Sequence, residues 1–229
     1  MNKRFENIIE LLKDKASVKQ DVFLHGKTIF KEFKETASEI INDLSSRYSA
    51  VDPRVKLIFE DINEQEFRIV VGGDILLFHM HTNVFLFDKS HYYWQQSYFK
   101  EDRTRAYGAI IQVYNFLTDS LKLERDNDLG FLIGRIFLNR DNHFMVESKQ
   151  KLNTRYPYLS KQEFTKEYQR ELIYCLLIYS MEFELNIPPY SQVQTVSVRQ
   201  ALEFKNSNKV VTSKRLGFRF GGQKSKDFD

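Results

Sequence analysis

The chain has 229 residues, of which 42% are hydrophobic and 28% charged, a balance typical of a folded globular protein. Its one cysteine, Cys175, excludes an intramolecular disulfide, and its apolar runs are too short to span a membrane. We therefore expect a cytoplasmic protein without a membrane segment. The formal net charge of +3 is uneven, because residues 191–229 hold eight Lys and Arg against three Asp and Glu. That segment carries +5, and the rest of the chain carries −2.

The first fifty residues predict two amphipathic helices. In the first helix, Phe5, Ile8, Ile9 and Leu12 fall on one face. The second helix continues until Asp52-Pro53, and its apolar residues follow three- and four-residue spacing. These residues are Val22, Ile29, Phe33, Ala37, Ile40, Leu44 and Tyr48. So long a stripe must pack either on the strands that follow or on a second copy of the helix.

From Val55 the pattern changes to short runs rich in β-branched and aromatic residues. These runs are VKLIFEDI, EFRIVVGG, DILLFHMH, NVFLFD and HYYWQQSYF. The breaks between them are too short for crossover helices, so we expect an antiparallel meander. Residues 107–121 return to helical spacing, although their β-branched and aromatic content leaves a strand open.

A hairpin and a long helix are predicted next. GFLIGRIFLN and HFMVESK form the hairpin around the Arg-Asp-Asn turn, in a register that places Glu147 opposite Arg135. The long helix begins with a capping box of Ser160 and Glu163 and ends at Pro188-Pro189.

These elements predict an α+β fold. It comprises an N-terminal helical pair, a mainly antiparallel β-meander sheet, two further long helices packed on that sheet, and a basic C-terminal tail. The expected units are a helical segment at 1–52, an α+β core domain at 53–190 and the tail at 191–229.

His79 and His81 lie two residues apart in a predicted strand, so both side chains point to one side and could meet the same metal ion. The run from Gly73 through His79-Met80-His81 resembles the first cupin motif, which implies that both histidines bind a divalent metal. The Glu of that motif falls on Phe85 or Leu86, and the second cupin motif has no counterpart. The competing interpretation, which we adopt, places both imidazoles on the sheet without a cofactor.

An apolar strand that ends in Glu-Ser-Lys resembles the core of the PD-(D/E)XK nucleases. The resemblance implies that Glu147 binds a divalent metal, that Lys149 is the catalytic lysine and that Asp128 is the candidate second acid. The hairpin register favours another interpretation, in which Arg135 and Glu147 form an ordinary cross-strand ion pair.

The tail alternates basic and aromatic residues. They include Lys205, Lys209, Lys214, Arg215, Phe218, Arg219 and Phe220. Such residues attract phosphates and stack on bases, so residues 199–226 could contact nucleic acid. The alternatives are a solvated tail and a peptide that docks on a partner protein.

The sequence as a whole favours a binding or regulatory module over an enzyme. No set of catalytic residues can be assembled from its motifs, while the N-terminal helix and the tail are both typical of association. We expect a non-enzymatic module that binds a protein partner or forms a homodimer, and the metal-dependent nuclease is the alternative.

Overall fold

A computed structural model gives the fold of the chain. Its helices and its antiparallel sheet confirm the α+β class. The basic and aromatic residues proposed for the tail lie outside the described residues. The described residues are 2–125, 128–148, 155–159, 161–182, 187 and 190–198.

The chain begins with one long helical run. Helix α1 spans Lys3–Leu11, a π-helical segment spans Leu12–Ser17, and helix α2 spans Val18–Tyr48. The side chain of Asn2 caps α1 by accepting a hydrogen bond from the Arg4 amide at 3.1 Å. The two predicted helices are present, and the π-helical segment joins them into one continuous run. The backbone stays in the right-handed helical region across Leu12–Ser17, which contains neither Pro nor Gly to end a helix.

Seven strands of the described residues form one antiparallel sheet. The strands are β1 (Leu57–Asn63), β2 (Glu66–Val71), β3 (Asp74–Met80), β4 (Phe85–Leu86), β5 (Tyr107–Leu117), β6 (Phe131–Asn139) and β7 (Phe144–Glu147). Their order is β1-β2-β3-β5-β6-β7, and β4 pairs with β5 on the same side as β3. The predicted meander and the predicted hairpin of the last two strands are confirmed.

The helix preferred for residues 107–121 is wrong, and the strand that was left open is right. Strand β5 lies inside the sheet between β3 and β6, and both of its faces are covered. A strand buried on both faces carries an almost continuous apolar run, which imitates helical spacing. Only Thr118–Lys122 is helical, as the short helix α4.

The run HYYWQQSYF is also not a strand. It forms a 3₁₀ helix at Tyr92–Gln95 and helix α3 at Ser97–Glu101, and a second 3₁₀ helix follows at Arg103–Ala106. The aromatic rings that suggested a strand instead pack beneath this segment, with Tyr93 and Phe99 fully buried against the sheet.

The helix near the C-terminus begins later than predicted. Helix α5 spans Lys166–Met181, and Thr165 caps it, because its hydroxyl accepts a hydrogen bond from the Tyr168 amide at 3.5 Å. Glu163, assigned to the capping box, instead forms a β-bridge with His143. Only one of the two further long helices occurs within the described residues, since the other was predicted at residues 107–121, which mostly form β5. Helix α6 (Tyr190–Val193) is a single turn.

Helices α2 and α5 cover one face of the sheet. Phe33 of α2 lies at the centre of this core, with its ring 5.9 Å from that of Phe67, 5.7 Å from Phe78 and 5.3 Å from Phe164. A buried hydrogen bond from Thr36 to Gln169 joins the two helices. The stripe of the second predicted helix therefore packs on the sheet. The opposite face has a smaller core beneath residues 91–106.

Candidate functional site

The N-terminal arm, defined as residues 3–17, extends beyond the core. None of its residues is buried, and contact with the core begins at Val18 and Val22. Gly26 then lets α2 approach the sheet closely, because a Cβ atom there would lie 2.8 Å from that of Ala109. The helical run thus changes from the exposed N-terminal arm to the buried part of α2 within about two turns.

The arm presents an apolar stripe made of Phe5, Ile8, Ile9 and Leu12. Phe5 and Ile8 are each 54% exposed, Leu12 is 51% exposed and Ile9 is half-buried. The predicted face is thus present, but its side chains are largely open to solvent. Exposed apolar stripes of this kind mark sites of protein association or membrane contact.

The two histidines of the cupin-like run occupy different surroundings. His79 lies half-buried on the sheet, opposite Glu66 on one neighbouring strand and Gln112 on the other. His81 lies just beyond β3, where its Nδ1 accepts a hydrogen bond from the Asn83 amide at 3.0 Å. Its ring also packs edge-on against Phe85. His81 thus already uses one ring nitrogen to shape a turn.

The register around Glu147 is confirmed. Glu147 pairs with Arg135 across β6 and β7, and the Arg135 Nε donates to its Oε2 at 2.9 Å. Asp128 is buried, and its Oδ2 accepts a hydrogen bond from the Ser120 hydroxyl at 2.6 Å. Lys149 lies outside the described residues. Glu147 and Asp128 therefore each engage a different partner within the protein.

Metal ligation requires several suitable side chains around one point. Across the described ranges, no three His, Cys, Asp or Glu side chains come together in a group that could hold an ion.

A polar cluster that the sequence did not reveal surrounds the Tyr98 hydroxyl. This oxygen accepts a hydrogen bond from Asn139 at 2.9 Å, and it lies 2.7 Å from Nδ1 of His143 and 3.2 Å from Oδ2 of Asp141. The Arg105 guanidinium stacks 4.4 Å from the Tyr98 ring and donates to Asp141 at 2.9 Å. The cluster ties the segment before β5 to the β6–β7 turn.

The role of this cluster is to hold two segments of the fold together. Burial raises the pKa of the Tyr98 hydroxyl to about 12, so it stays protonated at neutral pH and acts as a donor rather than a base. The only sequence signal was the polar turn from Asn139 to His143. Tyr98 is about forty residues away in sequence and no local pattern connects it to that turn.

A small cavity of about 220 Å³ lies where α2 ends and β1 begins. Its lining includes Tyr48, Pro53, Val55, Lys56 and Ile58. The Lys56 ammonium donates to the Pro53 carbonyl at 3.0 Å, so it stabilises the connection between the two elements. The lining offers no carboxylate or imidazole for acid–base chemistry.

Comparison with known proteins assigns no relationship. No protein-family model, no curated protein and no solved structure matches the chain. Within the described residues, no helix combines the length and the apolar character needed to cross a membrane.

Proposed function

We propose that this chain is a non-enzymatic intracellular binding module that acts through protein–protein association. The observation that carries the proposal is the exposed apolar stripe of the N-terminal arm. Four apolar side chains on one helical face lie outside the core, beside a domain whose other long helices bury theirs.

The physical reason is the marginal stability of a helical segment whose apolar face is exposed. A segment of about fifteen residues gains little from propensity alone, and helices in proteins are stabilised mainly by packing of their apolar face. Within the described part of the chain, no residue of the arm is buried by such packing. A partner that covers Phe5, Ile8 and Leu12 would supply it, as amphipathic helices do when they bind apolar grooves.

The basic segment 199–226 belongs to the same proposal as a second docking element. Its net positive charge would steer an acidic partner surface toward the module. Contact with nucleic acid through the same residues is the other outcome that a binding experiment can reveal.

The test is native mass spectrometry of the protein purified from its own host, in parallel with an Ile8→Ser/Leu12→Ser variant. We expect a complex with a second polypeptide chain for the wild type and a bare monomer for the variant. Leu24→Ser is the matched control, because Leu24 is 59% exposed but lies on α2, outside the arm. A wild-type protein that is already a bare monomer, or a complex that survives in the arm variant, would contradict this role of the arm.

A triple substitution of Lys214, Arg215 and Arg219 to Ser tests the tail separately. We expect weaker partner binding with an unchanged unfolding transition, because charge steering is lost while the described core stays intact. Binding equal to that of the wild type would remove the tail from the proposal.

A further inference from the structure

The apolar stripe of the arm is symmetric in its spacing. Phe5, Ile8, Ile9 and Leu12 are separated by three, one and three residues, so the pattern reads the same in both chain directions. A two-fold axis between Ile8 and Ile9 would therefore place each of these four residues opposite another of the four in an antiparallel copy. Self-complementary surfaces of this kind are what a two-fold dimer requires.

The charges beside the stripe have the same symmetry. Glu6 and Lys13 lie on one flank of the stripe, seven residues and about two helical turns apart. Both are exposed, and neither forms an ion pair within the described part of the chain. In an antiparallel pair, Glu6 of each copy lies beside the partner's Lys13, which gives two equivalent ion pairs.

The ion pairs are specific to the antiparallel arrangement. In a parallel pair each flank faces the other flank of the partner helix, so Glu6 and Lys13 would lie on opposite sides of the interface and would not meet. On the other flank of the antiparallel pair, the aliphatic stem of Arg4 would cover the partner's Leu11, while its charge would lie near the partner's Lys15. Attraction between charges therefore comes from the flank that holds Glu6 and Lys13.

We infer that the N-terminal arm binds the arm of a second copy of this chain, antiparallel and about a two-fold axis between Ile8 and Ile9. The inference rests on the proposed function and names the partner of the arm. Four side chains from each copy form a small interface compared with those of permanent dimers. The expected behaviour is therefore a reversible monomer–dimer equilibrium that depends on protein concentration.

The experiment is sedimentation velocity on the full chain, from about 1 µM to about 500 µM, a range that covers weak dimers. The wild type should shift from monomer to dimer as its concentration rises. Glu6→Lys and Lys13→Glu should each raise the dissociation constant about tenfold or more, because each change makes both ion pairs repulsive.

Two further samples, a double variant and a mixture of the two single variants, test whether the arms pair antiparallel. The Glu6→Lys/Lys13→Glu double variant should dimerise like the wild type, and an equimolar mixture of the two single variants should form a heterodimer. Lys31→Glu is the control, since Lys31 is exposed on α2 outside the arm, and it should dimerise normally. All the changes are on the surface, so the unfolding transition should stay the same.

A protein that remains monomeric at every concentration would overturn the inference. So would single variants that dimerise as tightly as the wild type, or a double variant that fails to recover. These failures are distinct from failure of the proposed function. A monomeric chain that still requires Ile8 and Leu12 to hold a different polypeptide would retain the association role and lose only the second copy as partner.

Discussion

The two halves of the N-terminal helical run carry the same kind of amphipathic pattern and have opposite environments. In α2 the apolar stripe is buried against the sheet and against α5. In the N-terminal arm the stripe lies beyond the core, and no residue is buried. Periodicity therefore shows that a helix has an apolar face, while the position of the sheet decides whether its own chain covers that face. The uncovered half is the one available to a partner.

The largest expected difference between the halves is in stability. Phe33→Ala should lower the free energy of unfolding by about 3–5 kcal/mol, because it opens a cavity among three other aromatic rings. Phe5→Ala should change it by less than about 0.5 kcal/mol, since that ring lies outside the core. Urea denaturation of both variants measures the contrast. Similar losses in the two would show that the arm packs on its own domain.

Gly26 is the position at which α2 approaches the sheet most closely for lack of a side chain. Gly26→Ala should destabilise the protein by about 1–2 kcal/mol, although alanine is the better helix former. The added methyl group would lie 2.8 Å from the Ala109 Cβ and 3.0 Å from the Met80 Cε, so the helix must move away from the sheet. Thermal unfolding measures the effect, and a gain in stability would contradict this close approach.

The cluster around Tyr98 tests how much the contact between the segment before β5 and the β6–β7 turn stabilises the fold. Tyr98→Phe should cost about 1–2 kcal/mol, because the Asn139 amide loses one of its two acceptors and the polar groups beside it stay partly buried. Tyr158→Phe is the control, since Tyr158 is exposed.

The same residue predicts a dependence on alkaline pH. The folded protein raises the pKa of Tyr98 to about 12, above the ordinary value near 10, so the folded state holds this proton more tightly than the unfolded state. Its contribution to stability is complete below about pH 10 and falls as the pH rises from 10 to 12. Burial raises the pKa of Tyr156 and Tyr179 as well, so Tyr98→Phe should reduce this alkaline loss without abolishing it. An identical loss in the variant would show that Tyr98 does not contribute.

The smallest expected effect on stability is that of a variant of the N-terminal arm, which should lose association instead. Phe5→Ser/Ile8→Ser should leave the free energy of unfolding within about 0.5 kcal/mol of the wild-type value, because both side chains are already exposed. The same variant should remain monomeric by light scattering at concentrations where the wild type associates. Association that persists in this variant would assign it to another surface.

Local patterns predicted the parts of the fold that depend on neighbouring residues. The alternation of short apolar runs predicted the meander, and the length of the β6–β7 turn predicted that Glu147 faces Arg135. The helical preference at residues 107–121 failed because the environment of a strand, covered on both faces by distant segments, is not visible in its own sequence. The start of α5 was misplaced for a related reason, since Glu163 pairs with distant His143.

The candidate site also has a part that the local sequence predicted and a part that only the structure shows. The spacing of Phe5, Ile8, Ile9 and Leu12 predicted the apolar face of the arm, but only the structure shows that the described residues leave most of that face exposed. The resemblances to the cupin motif and to the nuclease core rested on a few residues each, so they could not indicate what surrounds those side chains in the fold. The hairpin register, not the motif, predicted that Glu147 lies beside Arg135, and only the structure shows that His81 shapes a turn.

The most direct test of the contrast between the exposed arm and the buried part of α2 is hydrogen exchange followed by mass spectrometry. The experiment compares residues 3–17 with residues 22–41 at low and at high protein concentration. The buried half should be protected at every concentration. The arm should exchange quickly at low concentration and become protected as the chains associate. An arm that is as protected as α2 in the isolated monomer would show that its own chain covers the stripe. An arm that exchanges quickly at every concentration would show that a second copy does not.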